Sequence, residues 1–308
     1  MDYIPLSGRE FPRFSGIKTF FRMPHVPVEA DYELGILGVP FDGGVSYRPG
    51  GRFAPSAIRE ASSLGRGFNW ARGINWIEKI KVADIGDCPI VPISIDKSYE
   101  KIEAHVSHIL SLNKKLISVG GDHSTTLPLL RAFHKKYGPV RLIHFDAHLD
   151  TYPAAWGCEF HHGAFVRHAV NEGLIIANES IQLGIRGPLA GGEDVDFVNQ
   201  HNIRVCSVDD IRIQGLESFL STLPAFDNTP TYLSFDIDCL DPSYAPGTGT
   251  PVPGGLTTYE VQRILRTLKV PNLVGADLVE VSPPYDSSQI TCLAAVDIIN
   301  EMICIMAN

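Results

Sequence analysis

Short apolar runs, each closed by Gly, Asp or another turn-forming or polar residue, recur along the chain. They are YELGILGVP (32–40), IKVADIGD (80–87), KLISVGGD (115–122), VRLIHFDAH (140–148), SIQLGIRG (180–187), IRVCSVDD (203–210), PTYLSFDID (230–238) and LVGADLVEV (273–281). Runs of this length between turn formers read as buried strands. Between them, APSAIREASS (54–63), SYEKIEAHVSHILSLN (98–113), TLPLLRAFHKKYG (126–138), GAFVRHAVNEG (163–173) and TYEVQRILRTL (258–268) repeat apolar positions at helical spacing, and ITCLAAVDIINEMICIM (290–306) reads as a last apolar helix. Strands alternating with helices predict βαβ units and a mostly parallel sheet covered on both faces, a three-layer αβα fold. No linker, internal repeat or low-complexity stretch interrupts the series, so residues 1–308 read as a single domain.

Open α/β sheets bind their ligands at the carboxyl ends of the strands. Three of the predicted ends are rich in Asp and His: GGDHS (120–124), HFDAHLD (144–150) and SFDIDCLDP (234–242). Residues two apart in a strand point the same way, which predicts that Asp146 and His148 share a face, as do Asp236 and Asp238. A chain that turns just after His148 brings Asp150 back to the same point, and His123 is expected to arrive from the neighbouring strand end. Carboxylates gathered in one cleft repel and raise one another's pKa values. Two divalent cations cancel that cost and can also ionise a water molecule. Oxygen and imidazole donors without thiolate favour Mn²⁺, with Ni²⁺, Co²⁺ or iron able to use the same set. Taken singly, each D-x-H or D-x-D also fits a turn or a helix cap.

Composition narrows the field. With 44% hydrophobic and 20% charged residues the profile is that of an ordinary globular protein. A formal charge of −9 and the lack of any basic cluster argue against nucleic-acid binding, and are compatible with a small cationic substrate. The six cysteines are scattered with no C-x-x-C pair, which suggests neither a zinc knuckle nor a disulfide framework and fits a reducing compartment. MDYIPLSGREFPRF lacks the pattern of a secretory leader and no run is long enough to span a bilayer, so cytoplasm is the expected location, with no membrane partner. The Gly-rich stretch GVSYRPGGRF (44–53) lacks phosphate-loop spacing, and reads either as a loop into the helix at 54 or as part of a pocket mouth.

GGDHS, DAHLD and SFDIDCLDPSYAPGTGTPVPGGLT resemble the three signature segments of the ureohydrolase family, which includes arginase, agmatinase, guanidinobutyrase and proclavaminate amidinohydrolase. GVPFDGGVSYRPGGRFAPSAIRE (38–60) and GADLVEVSPPYD (275–286) extend the resemblance over most of the chain. It implies an arginase-like α/β domain with an eight-stranded, mostly parallel sheet, two metal ions, usually manganese, and a homo-oligomer, trimer or hexamer. It further implies that His123, Asp146, Asp150 and Asp236 bind one ion and Asp146, His148, Asp236 and Asp238 the other. Among catalytic groups it implies His162 in the H-H-G segment as proton shuttle, with His161 as competitor, Glu280 in V-E-V as the grip on the guanidinium, and Asp150 beside them.

The reaction so implied is hydrolysis of a guanidino compound to urea and an amine. The loop TYPAAWGCEFHHG (151–163) lacks the Asn and Ser of arginases and is similar to agmatinases, which makes agmatine the expected substrate. A guanidino acid such as 4-guanidinobutanoate, 3-guanidinopropionate or a proclavaminate-type precursor is the alternative, as is an N-substituted guanidine or biguanide. In that loop Trp156 either walls the substrate tail or packs the loop, and Glu159 either attracts a distal ammonium or is simply solvated. Arg48 and Arg52 in the first loop can reverse the preference if they reach the mouth. A third reading is a non-catalytic subunit of a hetero-oligomer.

Overall fold

A computed structural model of the chain describes residues 3–308, so the first two residues of the N-terminal stretch read above lie outside it. Eight strands form one sheet: β1 (Leu34–Gly38), β2 (Val82–Asp87), β3 (Lys115–Val119), β4 (Arg141–Phe145), β5 (Ile181–Ile185), β6 (Arg204–Ser207), β7 (Thr231–Asp236) and β8 (Leu273–Val279). All neighbours pair in parallel, in the order β2-β1-β3-β8-β7-β4-β5-β6, so β3, which leads to His123, does not neighbour β4 as expected: β8 and β7, later in the chain, lie between them. The helices are α1 (Ala54–Ala61), α2 (Ile95–Ser111), α3 (Thr126–Tyr137), α4 (Phe165–Asn171), α5 (Glu193–Gln200), α6 (Val208–Gln214), α7 (Leu216–Leu220), α8 (Thr258–Thr267) and α9 (Ile290–Met306).

The helices divide between the two faces of the sheet. Ile36, Ile117, Ile143, Phe235 and Leu278 pack with residues of α1, α6, α7, α8 and α9, while Leu37, Leu116, Leu142, Tyr232 and Val274 pack with residues of α2, α3, α4 and α5. Strands buried on both faces need apolar residues at consecutive positions, which is why they read as continuous runs. The three layers match the expectation.

Local chemistry refines the boundaries. The run 203–210 ends as a strand at Ser207, whose side chain accepts from the Asp210 N–H while Asp210 caps back onto the Ser207 N–H, so its acidic pair starts α6. The helices α5, α6 and α7 were not anticipated. The strands also stop earlier than the alternation argument requires: β4 ends at Phe145, and Asp238 lies in a 3₁₀ turn after β7. Asp146 with His148, and Asp236 with Asp238, therefore converge through tight turns and not through the strand pleat.

Candidate metal centre and active-site cleft

The four central strands β3, β8, β7 and β4 deliver the polar residues from their carboxyl ends. After β3, Gly120 and Gly121 take φ of +90° and +84°, and a Cβ on Gly121 would stand 2.8 Å from the carbonyl oxygens of Phe41 and Val39. Only glycine fits this approach, which swings His123 into the centre. Asp150 and Glu280 also adopt left-handed backbone, φ 51° and 63°. Such conformations cost about 1–3 kcal/mol each for a residue with a Cβ and collect at functional sites.

His123 Nδ1 lies 3.0 Å from Asp146 Oδ2, 3.0 Å from Asp150 Oδ2 and 3.1 Å from Asp236 Oδ2. On the far side of the ring Nε2 is 2.9 Å from Ser234 Oγ, and that hydroxyl donates to Asp277 Oδ1 at 2.7 Å. Nε2 must then be the donor. In the neutral ring this leaves Nδ1 with a lone pair facing three carboxylate oxygens, an arrangement that only a proton or a cation at that point makes favourable. Burial alone would lower the His123 pKa, yet the contacts with Asp146, Asp150 and Asp236 raise it well above its ordinary value. A cation meets the same need, since donor atoms about 2.1 Å from an octahedral divalent ion stand about 3.0 Å apart.

A second group adjoins the first. His148 Nδ1 is 3.1 Å from Asp238 Oδ2 and 3.3 Å from Asp146 Oδ1, so the two oxygens of Asp146 face the two groups. Asp236 is aligned with His123 through Oδ2, while its Oδ1 accepts the Asp238 N–H at 2.8 Å. The donor atoms close enough to share an ion form the sets His123, His144, Asp146, Asp150 and Asp146, His148, Asp238. Asp146 thus touches both, whereas Asp236, expected from the resemblance to serve both ions, belongs to neither set and approaches only His123. Burial, then the charges of Asp238 and Asp146, pushes the Asp236 carboxyl well above the usual carboxylate range. The residues present fit a pair of divalent cations in charge, donor type and spacing.

His162 stands beside this centre. Its Nδ1 is 3.1 Å from Glu280 Oε1, which also accepts the His123 N–H at 2.8 Å, and its Nε2 is 2.7 Å from Ser46 Oγ. Burial would lower its pKa, but the hydrogen bond and charge of Glu280, with Asp150 and Asp122 behind, raise it to about 9. The first loop is bound to the same point, because Gly44 donates to Asp122 Oδ2 at 2.7 Å and accepts the His162 N–H at 2.9 Å. His161 turns its ring away, with Nε2 3.0 Å from the Pro153 carbonyl.

Above the centre opens a cleft of about 360 Å³, lined by Ser46, His148, Asp150, Asp236, Thr250, the histidines 161 and 162, and the loop from Tyr152 to Trp156. Trp156 is exposed at the tip of a turn with φ 52°, followed by Gly157 at 75°. Glu159 is exposed and absent from the lining, so the site offered for it from sequence is not where it stands. Neither Arg48 nor Arg52 reaches the cleft. The Arg48 guanidinium sits about 5 Å from the ring centres of Tyr47 and Tyr285, and Arg52 is paired with buried Asp42. Sequence reasoning missed Ser46 and His144. The signal for His144 was a titratable residue inside an otherwise apolar core strand, two positions before Asp146.

All six cysteines are free, and among the described residues no helix is long and apolar enough to cross a membrane. Known proteins are similar to this chain in sequence and in overall shape. An agmatinase from Klebsiella pneumoniae is 44% identical over 292 residues, 94% of this chain and 92% of that one. A guanidinopropionase from Pseudomonas aeruginosa is 39% identical over 306 residues, 99% and 96% of the two chains. Proclavaminate amidinohydrolase from Streptomyces clavuligerus is 40% identical in its solved structure, which superposes with a TM-score of 0.91 over 96% of this chain and 99% of that one. These relatives are hydrolases that cleave C–N bonds of guanidino compounds, and the family depends on a binuclear metal centre. With the arginase-family model matching residues 32–304 as well, the chain belongs to the arginase family of ureohydrolases.

Proposed function

We propose that the protein hydrolyses agmatine to putrescine and urea, acting as one ureohydrolase domain over residues 1–308. The observation that carries this choice is the cleft lining, which holds no Lys or Arg and walls the substrate tail with Tyr152, Pro153, Ala154, Ala155 and Trp156. A carboxylate tail would be desolvated there without a partner, at a cost of several kcal/mol. A distal ammonium, by contrast, can lie against the Trp156 face. The apolar wall also favours a second reading, an N-substituted guanidine or biguanide. Relatives named for guanidino acids keep a third in view.

His123, Asp146, Asp150 and Asp236 would hold one ion, and Asp146, His148, Asp236 and Asp238 the other, with Mn²⁺ the proposed metal and Ni²⁺ or Co²⁺ able to replace it. When bound, the pair supplies activation of water at neutral pH and stabilisation of charge on the tetrahedral carbon. Glu280 grips the guanidinium by charge-assisted hydrogen bonds. Water adds to the guanidinium carbon, the carbon–nitrogen bond to the alkyl amine breaks, and both water protons leave the oxygen as it becomes the urea carbonyl, one passing to the amine, which departs as an ammonium, and one recharging His162. His162, held protonated by Glu280, delivers a proton to that departing nitrogen. Asp150, which lines the cleft, would orient the incoming water. The complete donor set argues against a non-catalytic subunit.

Urea release from a panel of agmatine, arginine, 4-guanidinobutanoate, 3-guanidinopropionate and alkylated guanidines, each with Mn²⁺, Ni²⁺ and Co²⁺, tests the substrate. Agmatine should lead the guanidino acids by orders of magnitude in kcat/KM. If only a guanidino acid or an alkylated guanidine yields urea, agmatine is the wrong substrate. A trimer or hexamer is proposed on the exposed apolar groove that Leu64, Phe68, Trp70 and Leu293 line, and a monomer in sedimentation would refute it. The free cysteines fit a cytoplasmic location.

A further inference from the structure

His144 and Gln182 form a buried relay that ends on the Asp146 carboxylate. His144 Nε2 is 2.9 Å from Asp146 Oδ2, and His144 Nδ1 is 2.9 Å from Gln182 Nε2. The same Gln182 nitrogen donates to the Leu149 carbonyl at 2.8 Å. All three side chains are buried to within 1%. The Leu149 carbonyl can only accept, so it fixes the orientation of the Gln182 amide, with the NH₂ group toward the ring. One amide hydrogen then goes to Leu149 and the other to His144 Nδ1, which must accept. The ring is left with its hydrogen on Nε2, aimed at Asp146. His144 stands close enough to be grouped with the metal donors, but in this tautomer Nε2 has no lone pair to give.

The bonds on Asp146 then divide evenly. Oδ2 accepts from His144 Nε2–H and Oδ1 accepts the His148 N–H at 2.6 Å, which leaves each oxygen one remaining lone-pair direction, Oδ2 toward the His123 group and Oδ1 toward His148. We infer that His144, its tautomer set by Gln182, is a positioning residue that holds Asp146 in the orientation in which one carboxylate serves two ions. The inference rests on the proposed reading of Asp146 as a shared ligand. Removing the His144 donor frees Oδ2 to rotate, and the loss falls first on the His123 side. Outer hydrogen-bond partners of metal ligands are typically worth about 10–100-fold in metal affinity.

Calorimetric titration of the chelator-stripped protein with Mn²⁺ tests this without reference to turnover. His144→Phe, which keeps a ring but no donor, should weaken one of the two binding steps by about 10–100-fold. His144→Gln, which keeps an N–H at the end of a side chain of similar reach, should restore most of it, and Gln182→Leu should give a smaller loss. Nitrogen NMR of the histidine-labelled wild type should show His144 neutral with its hydrogen on Nε2, a readout that needs no variant to fold. Wild-type affinity in folded His144→Phe, a His144→Gln variant no better than Phe, or a hydrogen on Nδ1 would each overturn the inference. Asp146→Asn separates the two levels: if it keeps both ions, the ligand reading fails too, and if it loses them while His144→Phe binds normally, only this inference fails.

Discussion

Asp146→Asn should reduce urea release to background and strip metal from both positions. The two carboxylate oxygens face different groups, Oδ2 toward His123 and Oδ1 toward His148. An amide removes the negative charge and turns one oxygen into a donor pointed at a nitrogen lone pair. Neither group can compensate, since each has a single imidazole and its other carboxylates are already engaged. Metal analysis should give about two ions per chain in the wild type, as a binuclear mechanism requires, and well under one in the variant. Asp236→Asn should also be inactive but should first lose the ion on the His123 side, where its Oδ2 points. Full activity with one ion or none would sink the binuclear mechanism.

His162→Ala should lower kcat by about 10²–10⁴-fold while the metal content stays near that of the wild type, the range expected when a general acid is removed. The ring touches Glu280 and Ser46 and no carboxylate of the two groups. Its pKa, raised to about 9, keeps it in the acid form at neutral pH. Wild-type kcat should therefore fall as the pH rises through about 9, and the variant should lack that limb. His161→Ala should act differently, because its ring holds the Pro153 carbonyl and so the cleft wall. A change mainly in KM is the expected signature there. If His161→Ala lost more kcat than His162→Ala, the shuttle would have been placed on the wrong member of the pair.

The ligand-bearing ends of β3, β4 and β7 were legible because central parallel strands are largely apolar, so a polar cluster marks where each stops. The pleat argument for Asp146 with His148 reached the right pairing by the wrong route. Nothing in the sequence says that β4 ends at Phe145, and the φ of +51° that returns Asp150 to the centre is imposed by tertiary packing. His144 was hidden inside an apolar run, where its partner Gln182 lies on β5, 38 residues away. Ser46 was hidden in a Gly-rich loop whose position depends on Asp122 and His162. Of the two readings of Glu159, its exposed position agrees with the solvated one; loop membership alone does not say which way a side chain faces. The short helices α5, α6 and α7 carry too few turns for their periodicity to stand out.

The metal groups draw on the ends of β3, β7 and β4, with Glu280 at the end of the intervening β8 beside them, and the hydrogen bond from His123 to Glu280 alone spans 157 residues of chain. A centre of this kind exists only after the middle of a parallel sheet has assembled, which is the slow, non-local part of folding. Ions held there would lower the free energy of the assembled fold by mass action, and stabilisation acquired after the transition state slows unfolding without speeding folding. Metal bound at this centre would then act as a kinetic lock on the folded enzyme.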